Sequence, residues 1–141
     1  MTTDVYDKAK RSAVMARVKS QDTKPELLLR KVLTALGARY RLQRKDLPGK
    51  PDVVMPGRRL AFFVHGCFWH GHDCARGSRV PKANRDYWLA KVARNKARDE
   101  KAVEALTADG WTVETVWECD MKNVEVLKAR LATILDDTAA R

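Results

Sequence analysis

The sequence predicts a single α/β domain in which helices flank a mixed central sheet. Its length of 141 residues suits one domain with its own core. The apolar pattern changes between helical and strand periods in the order α, β, β, β, α, β, α. Hydrophobic residues make up 45% of the chain and charged residues 33%, as in globular proteins. We therefore assign residues 22–137 to the domain, residues 1–21 to a basic N-terminal arm and residues 138–141 to a flexible tail.

The first half of the domain is predicted to contain one helix and three short strands. Thr23 stands three residues before Glu26, which is the spacing of a capping box at a helix start. Apolar residues then recur at helical period until Gly37 ends the pattern. Alternating or continuous apolar residues predict strands at 39–43, 52–55 and 60–64, and turns rich in proline and glycine separate them.

The second half is predicted to contain a long helix, a strand and a final helix. Helical periodicity covers residues 84–107, and a strand of β-branched and aromatic residues covers 111–117. We place Trp111 and Trp117, which lie at strand spacing, in the core. A last amphipathic helix is centred on residues 127–135. The segment 65–74 has no apolar period, which indicates a loop shaped by something other than core packing.

The charge of the chain indicates a nucleic acid as partner. The chain has 28 Lys and Arg against 18 Asp and Glu, a net charge of +10 and a pI near 9.8, and such an excess attracts polyanions. It is concentrated in residues 1–101, which carry +14, whereas residues 102–141 carry −4. The sequence contains neither the ~20 consecutive apolar residues of a membrane span nor an apolar signal core after Met1. We therefore expect a cytoplasmic protein with no membrane contact. The alternative to a nucleic-acid partner is a generally basic, soluble protein.

The spacing of cysteine and histidine predicts a structural zinc site. Three cysteines cannot all pair as internal disulfides, and the cytosol would keep them reduced. Cys67, His72 and Cys74 fall within one short loop, and Cys119 follows the strand at 111–117. Three thiolates and one imidazole complete a tetrahedral zinc shell without a water position, which would make the metal structural. The alternative is three ordinary buried cysteines and a surface histidine.

One carboxylate and two imidazoles form a candidate hydrolytic site. Asp52 opens one predicted strand and His65 closes the next, so that pairing of these strands brings the two side chains toward one edge of the sheet. His70 lies five residues further on. A carboxylate that holds Mg²⁺ and imidazoles that transfer protons near neutral pH suit the cleavage of a phosphodiester. The same residues alone also fit a turn aspartate and structural histidines.

The run from Phe63 to Cys74, FVHGCFWHGHDC, resembles the signature of the very short patch repair (Vsr) DNA mismatch endonucleases. The likeness continues in order through residues 4–15, 47–52, 80–99 and 110–119, and so covers essentially the whole chain. It implies a variant of the PD-(D/E)xK restriction-endonuclease fold, with histidine where the lysine motif would lie. It also implies Mg²⁺-dependent hydrolysis 5′ to the T of a T:G mismatch, the nick that starts very short patch repair of deaminated 5-methylcytosine.

The resemblance implies a role for each residue of the catalytic site. Asp52 and the main-chain oxygen of Val64 would hold Mg²⁺, although Thr often stands in the family where this chain has Val64. His70 would be the general base, while His65 and Glu26 would organise the metal-bound water and the charge around the phosphate. A capping box explains Glu26 without catalysis, and the two roles are compatible. The positions that match the zinc ligands are Cys67, His72, Cys74 and Cys119.

The resemblance also implies a surface that reads the mismatch. The positions that match DNA contacts are Phe68, Trp69, Trp88, Lys91, Asn95 and Met15. The first three would intercalate from the major groove, the next two would contact the mismatched bases, and the last would oppose the aromatic side chains from the minor groove. Apolar wedges enter a duplex at least cost where base pairing is faulty. Composition alone, by contrast, favours a core position for Trp88. The basic residues of the arm and of 76–101 would contact phosphates.

Two other functions fit part of the sequence. A zinc-stabilised DNA-binding module would need the charge and the zinc ligands but not Asp52, His65 or His70. A restriction-like nuclease on matched DNA would need two cuts and usually a dimer, whereas we expect a monomer. We take double-stranded DNA with a T:G mismatch as the partner. The sequence leaves open which flanking bases are preferred and whether mismatch-repair proteins take part.

Overall fold

The computed structural model describes residues 23–42, 44–74 and 81–139 of the chain. In these ranges the helices and strands follow one another in the predicted order. The helices are α1 (Lys24–Ala35), α2 (Arg85–Ala108) and α3 (Val124–Asp137), and the strands are β1 (Arg41–Leu42), β2 (Val53–Met55), β3 (Leu60–His65) and β4 (Thr112–Trp117). Two 3₁₀ segments, Pro56–Arg58 and Glu118–Lys122, follow β2 and β4.

The strands form one mixed sheet in the order β1-β2-β3-β4. Strand β2 pairs antiparallel with both β1 and β3. Strands β3 and β4 are parallel, and α2 connects them in the chain. The β3–β4 pairing is the longest, from Leu60 opposite Thr112 to His65 opposite Trp117. Because the two strands are parallel, their carboxyl ends meet at one edge of the sheet. The residues that follow His65 and Trp117 are therefore brought together.

Helices cover both faces of the sheet. Successive strand residues point to opposite sides, so an apolar strand such as β3 presents an apolar surface on each face. Leu60 and Phe62 belong to a core that includes the apolar stripes of α1 and α3. Ala61 and Phe63 belong to a second core, which packs on the C-terminal half of α2 through Leu106. This arrangement confirms the predicted α/β domain with a mixed sheet between helices.

Helix α1 begins and ends as its sequence predicts. The Thr23 side chain accepts a hydrogen bond from the Glu26 N–H over 3.4 Å, and Pro25 occupies the first turn, where a missing N–H has little effect. The helix ends before Gly37, whose φ of 79° lies in the left-handed region that glycine adopts most easily.

The observed bounds differ from the predicted ones by a few residues. Strand β2 begins at Val53, so that Asp52 precedes the strand, and β3 extends to His65. The larger difference concerns α2, whose N-terminal half packs on the loop after β3 instead of on the sheet. Trp88 is accordingly only partly buried.

Some predictions lie outside the described residues. These include the whole arm, residues 1–21 with Met15, and the last two residues of the predicted tail. Among the residues that are described, no helix has both the length and the apolar character needed to cross a membrane.

Candidate functional site

Residues 66–74, here called the site loop, connect the end of β3 to the surface of α2. The loop is folded on itself, since the His72 N–H donates to the Cys67 carbonyl over 2.9 Å. Gly71 has a φ of 62°, and a Cβ at this position would lie 2.7 Å from both Val92 Cγ1 and Lys96 Cδ of α2. Only glycine fits so close to the helix. The loop is therefore packed tightly against the N-terminal half of α2.

The four predicted zinc ligands converge at the carboxyl ends of β3 and β4. One ligand atom from each of Cys67, His72, Cys74 and Cys119 lies within 4.8 Å of the others. Tetrahedral ligands at a Zn–S distance of ~2.3 Å are roughly 3.8 Å apart, so this group needs little rearrangement to hold a metal ion. Cys119 links the two strand ends directly: its N–H donates to Cys67 Sγ over 3.3 Å, and its Sγ lies 3.4 Å from His72 Nδ1.

The cysteine cluster is electrostatically suited to a cation. Burial raises the pKa of Cys67 to about 12 and also raises the pKa of Cys119. Thiolates are therefore unfavourable there without a positive partner. A divalent ion offsets this cost because it binds thiolates as ligands. The donor set fits a metal ion enclosed by protein ligands.

His65 and His70 stack face to face beside Asp99 of α2. Their ring centroids are 3.8 Å apart, and the ring planes differ by 2°. Asp99 Oδ2 lies 2.5 Å from His70 Nδ1 and 3.9 Å from His65 Nδ1. These three side chains form a second compact group of potential metal ligands or proton carriers.

The two histidines are in different electrostatic environments. Burial and, to a smaller extent, the neighbouring His70 lower the pKa of His65 to about 4, although Asp99 acts in the opposite direction. His65 is therefore a neutral imidazole near neutral pH. The nearby Asp99 carboxylate favours a proton on Nδ1 of His70, which leaves Nε2 able to accept another. Of the two rings, His70 is the one suited to act as a base.

Asp52 precedes β2, and its carboxylate reaches the end of β3. Its Oδ2 accepts a hydrogen bond from the Val64 N–H over 2.8 Å. Val64 directly precedes His65 in the chain. The pKa of Asp52 is raised to about 6, chiefly by burial; the charge of Glu26 also raises it, whereas the Val64 N–H and the charge of Arg30 lower it. Asp52 is thus a partly buried carboxylate that a bound cation would stabilise.

Glu26 is more deeply buried than a helix-capping side chain needs to be. It is 3% exposed, and its Oε2 lies 3.4 Å from the guanidinium of Arg30. Its charge also acts on Asp52. A divalent ion relieves repulsion between neighbouring carboxylates, so this pair fits a site for a hard cation such as Mg²⁺.

Asp52 lies apart from the compact histidine group. The set of ligand atoms within 4.8 Å of one another contains His65, His70 and Asp99 but not Asp52, among the residues that the structure describes. The strand pairing thus brings Asp52 to the same strand end as His65, as expected, without joining it to one tight cluster with both histidines.

Phe68, Trp69 and Trp88 form an aromatic cluster between the site loop and α2. The Phe68 and Trp69 ring centroids are 5.1 Å apart, and Trp88 lies 5.8 Å from each. All three side chains are partly exposed. Lys91 Nζ lies 5.6 Å from the Trp69 ring, and Asn95 Nδ2 donates to the Trp69 carbonyl over 2.7 Å. Five of the six predicted DNA-contacting residues thus lie together, and the sixth is in the arm, outside the described residues.

The prediction that Trp117 lies in the core is wrong. This partly exposed side chain stacks on His72, with 4.1 Å between ring centroids and 14° between planes. Its ring also lies 5.3 Å from that of His65 and 6.4 Å from that of His70. Because side chains alternate along a strand, Trp117 lies on the same face of the sheet as Trp111, the face toward α2. At this edge of the sheet, however, that face is occupied by the histidines and not by the core. Trp111 is buried, as predicted.

Asp99 was not among the predicted site residues. It lies eleven residues after Trp88 and four after Asn95, so all three share one face of a helix. That spacing is the signal that could have identified it.

Comparisons with known proteins relate the chain to one family. The family model described as DNA mismatch endonuclease Vsr matches residues 3–76. The type II nicking enzyme V.XorIIP of Xanthomonas oryzae pv. oryzae is 49% identical over 134 residues, which cover 95% of this chain and 98% of the relative. The type II nicking enzyme V.NmeAIP of Neisseria meningitidis is 45% identical, with 92% and 91% covered. The DNA mismatch endonuclease Vsr of Escherichia coli is 41% identical, with 88% and 79% covered.

Proposed function

Since this chain belongs to the Vsr family of DNA mismatch endonucleases, we propose that it nicks double-stranded DNA 5′ to the T of a T:G mismatch. The observation that carries the proposal is the His70–Asp99 pair: His70 directly follows Trp69 of the aromatic cluster and stacks on His65, at the strand end where Asp52 contacts Val64. A candidate base thus adjoins an apolar wedge, and a carboxylate suited to a metal ion reaches the same strand end. Similar proteins named nicking enzymes support cleavage of one strand.

His70 is the proposed general base. Asp99 holds its Nδ1, so that Nε2 can remove a proton from the attacking water, as the histidine of an Asp–His pair does in other hydrolases. His65 is kept neutral by burial and can hydrogen-bond the phosphate or water without adding charge. The water oxygen bonds to phosphorus as its bond to the 3′ oxygen breaks, and the 3′ oxygen takes up a proton from solvent water, which gives a 5′-phosphate and a 3′-hydroxyl.

Mg²⁺ is the proposed catalytic ion, held by the Asp52 carboxylate and the main-chain oxygen of Val64. The raised pKa of Asp52 and the nearby charge of Glu26 support a divalent cation as partner, because it stabilises the ionised carboxylates. Bound there, Mg²⁺ supplies Lewis-acid stabilisation of the phosphate charge. Because only a main-chain oxygen of residue 64 is required, valine can replace threonine.

Zn²⁺ is the proposed ion in the cysteine cluster, where its role would be structural. Three sulfur donors and one imidazole suit zinc and leave no position for a reacting water. The site loop has little apolar core of its own, so the metal would fix its shape. We further interpret the domain as a PD-(D/E)xK variant in which histidine takes the place of the usual lysine.

The mismatch would be read by the aromatic cluster. Partly exposed rings of Phe68, Trp69 and Trp88 can enter a base step, and unstacking is least costly where the pair is faulty. Met15 of the arm would oppose them from the minor groove, and Lys91 lies beside Trp69. The nick would start very short patch repair of deaminated 5-methylcytosine, in the cytoplasm and by a monomer.

A nicking assay on end-labelled duplexes tests the function. Every mismatch is placed at one position in varied flanking sequence, with and without Mg²⁺. We expect one cut, 5′ to the T of T:G, only with Mg²⁺. Binding without nicking would support a DNA-binding module instead, and cleavage of both strands of matched DNA would support a restriction-like nuclease. Either result rejects the proposal.

Trp69→Ala is expected to reduce mismatch selectivity in binding. A base stacked on an aromatic ring is worth about 1–3 kcal/mol, so affinity for a T:G duplex should fall roughly 10- to 100-fold. Affinity for a matched duplex should change much less, since phosphate contacts dominate it. Fluorescence anisotropy on both duplexes measures this, with exposed Val126→Ala on α3 as control. Equal losses on both duplexes would contradict the wedge.

A further inference from the structure

Asn95 of α2 uses both polar atoms of its side chain within the protein. Its Nδ2 donates to the Trp69 main-chain carbonyl over 2.7 Å, and its Oδ1 accepts from the Arg98 guanidinium over 2.7 Å. A guanidinium has only donors, so the amide atom that faces Arg98 must be the acceptor oxygen. This second bond therefore fixes the orientation of the Asn95 amide. One N–H of the NH₂ group is thereby aimed at the site loop.

The carbonyl that Asn95 holds belongs to the peptide bond between Trp69 and His70. On one side of this peptide, the Trp69 ring packs in the aromatic cluster, 5.8 Å from Trp88. On the other side, the His70 ring is bound to Asp99 at 2.5 Å. This peptide is planar and rigid, so a rotation of its plane changes the orientation of the main chain at both Trp69 and His70.

One face of α2 contacts all parts of this segment. The contacting residues occur at intervals of three, four and four residues, as neighbours on a helix face do. Trp88 and Lys91 lie against the Trp69 ring, Asn95 holds the peptide and Asp99 holds His70. The helix thus provides a common frame for the wedge and the base, which follow one another directly in the chain.

We propose that Asn95 is a positioning residue that couples insertion of Trp69 at the mismatch to the placement of His70 for catalysis, an inference that rests on the proposed function. With the peptide held against α2, the indole and the imidazole keep a fixed relation, so that the position of the indole in the base step also places the imidazole. Without the hydrogen bond, the two side chains move independently. This role differs from the direct contact with mismatched bases that the family resemblance implies for Asn95.

Two substitutions of Asn95 test the coupling. Asn95→Leu keeps the volume but removes the donor, and Asn95→Gln keeps a donor on a longer side chain. Single-turnover nicking is measured with excess enzyme on T:G and matched T:A duplexes, and affinities are measured without Mg²⁺. Glu100→Ala, at an exposed position of α2, is the control.

We expect Asn95→Leu to slow the nicking of T:G about 30-fold or more, because a misplacement of ~1 Å can cost a hundredfold in rate. The rate on matched DNA should fall much less, so that the T:G to T:A rate ratio collapses. The T:G affinity should stay within about threefold of the wild-type value, because the aromatic wedge that dominates mismatch binding is retained. Asn95→Gln should recover part of the rate, and Glu100→Ala should nick normally.

Several results would overturn this inference. A wild-type rate for Asn95→Leu would reject the coupling, and loss of T:G affinity at an unchanged rate would show that Asn95 reads the bases. Equal slowing on both duplexes together with a lower Tm would show that the residue only stabilises the loop. Failure of the wild-type protein to nick T:G would reject the proposed function itself, which distinguishes the two cases.

Discussion

Replacing Asp52 by asparagine is expected to abolish nicking while DNA binding is kept. If Asp52 holds the catalytic ion, its loss removes several kcal/mol of charge stabilisation, which corresponds to a rate at least about a thousandfold lower. Affinity for a T:G duplex should stay the same or increase, since one negative charge is removed. Single-turnover nicking with Mg²⁺ and anisotropy without it measure the two effects. Nicking within tenfold of the wild-type rate would exclude Asp52 as the metal ligand.

The same variant provides its own control for folding. Because burial raises the pKa of Asp52 from 3.8 to about 6, the ionised side chain destabilises the metal-free fold above pH 6. This penalty is of the order of 2–3 kcal/mol. It decreases as the pH falls from 6 toward 4, because the carboxyl is then protonated in the folded chain while it is still ionised in the unfolded chain. Asparagine can still accept the Val64 hydrogen bond. Asp52→Asn should therefore have the higher Tm at pH 7.5 without Mg²⁺, and the difference should shrink at pH 4.5.

Removing one cysteine ligand is expected to release the metal and inactivate the protein. Cys119→Ser leaves Cys67, His72 and Cys74 without the ligand that comes from the other strand end. Structural zinc in small domains contributes on the order of 10 kcal/mol of apparent binding energy, although here two hydrophobic cores remain. We expect a clearly lower Tm, loss of nicking by more than about a hundredfold because the base is misplaced, and no bound zinc by elemental analysis.

A ligand-for-ligand exchange is the matched control for this prediction. His72→Cys keeps four donors, and four cysteines also hold zinc. It should keep about one zinc per chain and more activity than Cys119→Ser. Wild-type protein with well under one zinc per chain, or Cys119→Ser with a full zinc content, would contradict a structural zinc site.

Local patterns were sufficient for the element order and for the convergence of the four candidate metal ligands. The apolar run at residues 60–64 and the helical period before Gly37 reflect burial against the core, and each segment forms the predicted type of element. Cys67, His72 and Cys74 are close in sequence, so their convergence needs only a tight loop. Cys119 could be added because a strand leads to it.

Contacts between distant segments could not be predicted in this way. Asp99 reaches His70 across 29 residues, and periodicity says only which face of α2 carries it. Trp117 has the spacing of a core residue, but whether its face meets the core or the histidines depends on where β4 ends relative to β3. The bond from Asn95 to the Trp69 main chain leaves no pattern in side-chain types. Family resemblance implied which residues would act on DNA but did not show which of them hold one another.

The parallel pairing of β3 and β4 has a consequence for how the domain assembles. Parallel neighbours need a long crossover, and the entropy of closing a long loop slows their association. Cys67 and Cys119 each follow the terminal His65–Trp117 pair by two residues. A metal ion bound by these cysteines would tether the two strands at one end. The remaining residue pairs of β3 and β4 could then form one after another from that end. The ion would then act as a folding nucleus for the longest ladder of the sheet as well as an anchor for the loop.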